Sequence, residues 1–147
     1  MTRAELTEKI IEIKMKKGLK WADIAKKVGL SKEYTTAAIL GQMALPAVNA
    51  KKAGKALGLT AAETKMLEAI PYRGSLGQTV PTDPLIYRFY EVIQVYGTSI
   101  KALIEDEFGD GIMSAIDYKM DISREKNPAG DRVVVTLNGK FLPYKTY

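Results

Sequence analysis

Two residues three apart carry the only charge that a buried helix could put to chemical use. Between Asp83 and Gly97 the chain reads D-P-L-I-Y-R-F-Y-E-V-I-Q-V-Y-G, and the fully charged side chains inside those bounds are Arg88 and Glu91. Asp83 followed by Pro84 is a helix start: the carboxylate accepts from orphan amides and proline suits the first helical position. Gly97 reads as the stop. Leu85, Phe89, Val92 and Tyr96 then fall on one stripe with Arg88 at its border, while Ile86, Tyr90 and Ile93 lie opposite. A helix apolar nearly all round is expected to be buried, within the subunit or between subunits. An arginine there needs an anion. Glu91 can supply it as an ordinary i,i+3 ion pair, or the guanidinium can be kept for an external anion.

The composition narrows the chemistry further. The 147 residues contain no cysteine and no histidine, so disulfides, thiol nucleophiles, imidazole bases and the usual zinc or copper sites are excluded. Catalysis must rest on Arg, Lys, Glu, Asp, Ser, Thr or Tyr. No loop has the alternating carboxylates that would hold calcium or magnesium. No apolar run reaches the length needed to span a bilayer and M-T-R-A-E-L-T-E-K lacks a signal pattern, which points to a cytoplasmic protein without membrane contact.

Charge is shared unevenly. Up to Val80 there are fourteen Lys or Arg against seven Asp or Glu, and from Pro81 onward eight against ten. The basic half invites a nucleic-acid reading. It contains five helical patterns: one capped by Thr2 and Glu5, then Leu19 to Leu30, Ser31 to Leu40, Pro46 to Leu57 and Thr60 to Ile70. The second and third, joined by V-G-L-S, resemble a helix-turn-helix of the phage-repressor type. A reading helix needs side chains that bond base edges, chiefly Arg, Asn, Gln or Lys near its start, whereas K-E-Y-T-T-A-A-I-L-G offers one basic residue, one acidic, and then small or apolar groups, and looks like a packing surface. A DNA-binding regulator of repressor type, with a C-terminal oligomerisation segment, is the alternative function.

Ile70 to Pro84, rich in glycine and proline, reads as the linker, dividing a helical bundle at 1–78 from a second domain at 79–147. After a break at Gly97 and Thr98, a short helix runs from Ile100 to Phe108. The period then changes to two, with Ile116, Tyr118, Met120 and Ile122 on one face. A turn at Asn127 to Asp131 leads into R-V-V-V-T-L, and Asn138-Gly139 signals a hairpin into an edge strand, K-F-L-P-Y-K-T-Y. The expected class is α+β: a repressor-like five-helix bundle, then two helices and three short strands. So thin a core calls for a partner, here a homo-oligomer with interleaved C-terminal segments.

The stretch P-T-D-P-L-I-Y-R-F-Y-E-V-I-Q-V-Y-G-T-S-I-K-A-L-I-E-D-E-F-G-D-G-I-M-S-A-I and the closing V-T-L-N-G-K-F-L-P resemble the cyanase family, also called cyanate hydratase or cyanate lyase; T-A-A-I-L-G-Q-M-A-L-P and I-P-Y-R-G support this. The resemblance implies a helical bundle that does not read DNA, a C-terminal segment intertwined between two subunits, and five dimers in a ring with sites at subunit interfaces. It implies a lyase for cyanate detoxification and nitrogen metabolism, which takes cyanate with bicarbonate as co-substrate, requires no metal or organic cofactor, and yields carbamate and carbon dioxide. By the motifs Y-R-F-Y-E and G-D-G-I-M-S-A, the catalytic residues it implies are Arg88, Glu91 and Ser114. Ser75 departs from members that carry cysteine there, so a thiol has no part in the chemistry.

Overall fold

The computed structural model describes residues 1–74 and 76–147; Ser75, and with it the cysteine position of the resemblance, lies outside the described residues. The chain divides into two compact units, Met1–Ser75 and Leu76–Tyr147.

The first unit is built from five helices, α1 (Arg3–Lys16), α2 (Trp21–Val28), α3 (Lys32–Ile39), α4 (Ala47–Leu57) and α5 (Ala61–Met66). Their starts are written in hydroxyl side chains. Thr2 and Thr60 each accept from the amide three residues on, while Glu5 and Glu63 reach back to complete capping boxes. Ser31 accepts from the Tyr34 amide at the head of α3. One apolar stripe per helix meets in a core of Leu6, Ile10, Ile24, Val28, Ile39, Leu57 and Leu67, each worth about 1.5–3 kcal/mol when fully buried. Arg3 ties α1 to the end of α3, its Nη2 donating to the carbonyls of Ala38 (2.6 Å) and Ile39 (3.0 Å). The last helix is shorter than its pattern: α5 ends at Met66, not Ile70.

The second unit is simpler than expected. One helix, α6 (Pro84–Phe108), runs through Gly97 without a stop. A helix ends at glycine when the residue turns left-handed, and Gly97 is not among the glycines with positive φ. Two strands, β1 (Gly111–Glu125) and β2 (Arg132–Pro143), form an antiparallel hairpin, in place of the three strands expected. Asn138-Gly139 is no turn. It lies inside β2, paired with Lys119 and Tyr118. The hairpin closes at Asn127–Gly130, where the Asn127 side chain accepts from the Ala129 amide and Gly130 takes φ 126. The architecture is α+β.

Within its own unit α6 buries none of its side chains. Leu85 (69% exposed), Phe89 (50%) and Val92 (47%) lie open. Within its own unit the helix therefore does not find the burial expected of it, because a two-stranded hairpin has too little surface to cover 25 residues of helix.

Candidate active site

Asp83 begins α6 as its sequence requires, Oδ1 accepting from the amides of Leu85 and Ile86 at 2.9 Å each. That start sets the phase of the helix and places Arg88 and Glu91 one turn apart on it. Arg88 Nη1 stands 3.7 Å from Glu91 Oε2, close enough for Coulomb attraction and longer than a hydrogen bond. The guanidinium carbon lies 5.8 Å from the Tyr87 ring centroid. Arg88 is 65% exposed, not buried, so the fork keeps an open edge. Charge on an apolar, open face is what an anion site at an interface would need.

Ser114 is held in the opposite manner. It is one of the few buried polar residues, 5% exposed, and sits where β1 departs from regular pairing. Met113 pairs with Phe141 and Tyr118 with Gly139, so four residues of β1, Ser114 to Asp117, stand against Lys140 alone. The surplus backbone folds over the serine, whose Oγ accepts from the amides of Ile116 and Asp117, both at 3.0 Å. A hydroxyl has two lone pairs and one hydrogen. With both lone pairs occupied by amides, Ser114 is left as a donor. The same loop throws Ile116 into solvent, 98% exposed, against the expectation that it shares a face with Tyr118, Met120 and Ile122.

Arg88 and Glu91 are thus brought together, and Ser114 is not brought to them. Met113, next to Ser114, lines a pocket of about 290 Å³ with Ile104, Phe108 and Phe141, and the Phe108 and Phe141 rings are 5.2 Å apart. Ser114 therefore belongs to the C-terminal end of α6. At 1.5 Å per residue, Ile104 is about 24 Å along the axis from Arg88.

Reading the sequence for side chains missed the amides of Ile116 and Asp117, which fix the serine. The signal is the serine itself, a residue prone to accept from amides two and three places on, within a run that otherwise reads as strand. Among the described residues no group of three or more acidic side chains gathers as a metal site, and no helix is long and apolar enough to cross a membrane. In α3, Lys32 pairs with Glu33 at 2.5 Å, while Thr35, Ala38 and Ile39 are buried.

Residues 3–71 match the family model described as cyanate hydratase, N-terminal, and residues 78–146 that of the cyanate lyase C-terminal domain. Curated relatives named cyanate hydratase include those of Variovorax paradoxus (strain S110), 67% identical, and Methylibium petroleiphilum, 65% identical, each aligned over the full length of both chains. Among solved structures, the crystal structure of cyanase from T. urticae is similar with a TM-score of 0.81 and 40% identity, covering 94% of this chain and 96% of that one. Similarity over the whole length to enzymes of one kind does not favour the DNA-binding regulator.

Proposed function

Because the chain belongs to the cyanate lyase family, we propose that it decomposes cyanate with bicarbonate as co-substrate. Bicarbonate, cyanate and one proton give carbamate and carbon dioxide; carbamate with a second proton breaks down to ammonia and carbon dioxide. The observation that carries the reading is family membership over the full length, and the side chains supply its chemistry.

The barrier is one of charge. Two anions must meet, and attack of a bicarbonate oxygen on the cyanate carbon gathers their charge on one adduct. A site must replace the screening of water with fixed donors. Arg88 binds a planar anion at two points and stays charged at any working pH. Ser114, with its lone pairs engaged, offers a hydrogen without adding charge. Glu91 would repel both substrates as a base at the reacting centre; its place beside the guanidinium suits a residue that orients Arg88. Holding both reactants adjacent adds the proximity contribution, and the side chains do this work without a metal or organic cofactor.

Since one chain keeps Arg88 and Ser114 well apart, the proposed site forms between copies, Arg88 and Glu91 from one and Ser114 from another. The open apolar face of α6 is what such an assembly would cover. In this reading 1–78 is a helical bundle that does not read DNA. The remainder, 79–147, is the catalytic and dimerisation domain, intertwined between subunits, with five dimers making a decamer in the cytoplasm.

Tracing carbon tests the reaction. With ¹³C-bicarbonate and unlabelled cyanate, two molecules of carbon dioxide should appear per ammonia, one of them labelled, before carbon dioxide and bicarbonate re-equilibrate. One unlabelled carbon dioxide per ammonia means hydrolysis and contradicts the proposal.

A further inference from the structure

We propose that Gly139 is a positioning residue for the Ser114 hydroxyl, an inference that rests on the reading of Ser114 as a donor to substrate. Gly139 pairs with Tyr118, where β1 regains its register after the loop Ser114 to Asp117. It is not among the glycines with positive φ, so the backbone there does not demand glycine. Space does. A Cβ at this position would stand 2.3 Å from the Ser114 carbonyl oxygen and 2.6 Å from Met113 Cγ.

The two overlaps differ in kind. Met113 can swing its side chain away. The Ser114 carbonyl is backbone, and it yields only if the loop moves. Three extra residues of β1 must be stored somewhere, and the bare backbone of Gly139 is where the start of that loop comes to rest. Ser114 Oγ is bonded to the loop's own amides, those of Ile116 and Asp117. A side chain at 139 would therefore lift hydroxyl and loop as one body, by something on the order of 1 Å, and a misplacement of that size costs about 10²-fold in rate. The serine keeps its donor character and loses its address.

The test is a double-mutant cycle on the full-length oligomer: wild type, Gly139→Ala, Ser114→Ala and the double variant, each assayed for kcat/KM with cyanate and bicarbonate and checked by sedimentation and thermal unfolding. Gly139→Ala should assemble and lose about 10²-fold, while the double variant should be no slower than Ser114→Ala alone. A structural role would not produce that masking, because its cost would recur in the Ser114→Ala background. Should the overlap with Met113 prevent folding, Met113→Ala in the same chain removes it and leaves the overlap with the carbonyl. Full turnover by Gly139→Ala beside a slow Ser114→Ala overturns the inference and leaves the reading of Ser114 standing. Full turnover by Ser114→Ala overturns both. Losses that multiply in the double variant, or a chain that does not fold even with Met113→Ala, assign the glycine to stability alone and overturn the inference.

Discussion

Arg88 Nη1 and Glu91 Oε2 stand 3.7 Å apart, one turn from each other on an open face of α6. The carboxylate is near enough to bias the guanidinium and too far to occupy its fork. A lysine at 88 would keep the charge and lose the two-point geometry, so Arg88→Lys should lower kcat/KM by about 10²-fold or more, by analogy with loss of an oxyanion donor. Ammonia release from cyanate measures this, and near-normal turnover removes Arg88 from the site.

The proposed sharing of the site between copies gives a second prediction. Arg88→Lys and Ser114→Ala chains, each slow alone, should regain activity when unfolded together and reassembled, since some sites then draw a native arginine from one chain and a native serine from the other. A mixture no faster than its components would place both residues of each site in a single chain.

Thr35 contributes to stability in the wrong direction. Its side chain is fully buried in the first unit and Oγ1 has no hydrogen-bond partner among the described residues. An orphaned buried hydroxyl costs about 1–3 kcal/mol, so Thr35→Val, which keeps the shape, should raise Tm by a few degrees with kcat unchanged. Thermal unfolding decides it, and a lowered Tm would show that the hydroxyl does useful bonding.

Glu63 makes the helical bundle sensitive to acid. Its carboxylate accepts from Lys9 Nζ at 2.5 Å and from the Thr60 amide at 2.9 Å. First the Lys9 hydrogen bond and then that of the Thr60 backbone hold its pKa below the ordinary 4.5. A pKa lower in the folded than in the unfolded state means stability that is present above 4.5 and lost as pH falls from there through the folded value. Glu63→Gln should be less stable than wild type at pH 7 and should converge on it as the medium is acidified, as read from urea midpoints. A constant difference across that range would contradict this account.

Much of the fold was legible because caps and periodicity are local. Thr2, Ser31, Thr60 and Asp83 start their helices through bonds to amides two or three residues away. Glycine was read less well because its purpose is not local. Gly97 reads as a stop and stays helical; Asn138-Gly139 reads as a turn, and its glycine instead admits the Ser114 carbonyl from the opposite strand. Dipeptide chemistry cannot tell room for a turn from room for a neighbour. Of the candidate site, one local relationship was legible. The Y-R-F-Y-E spacing put Arg88 beside Glu91, whereas the amide pair that makes Ser114 a donor exists only once β1 carries its surplus residues.

The most direct measurement is ammonia release from cyanate by the purified protein in carbon-dioxide-depleted buffer, with and without added bicarbonate. Release should be fast with bicarbonate and close to absent without it. Equal release in both buffers, or none in either, would contradict the account of a site built to bring two anions together.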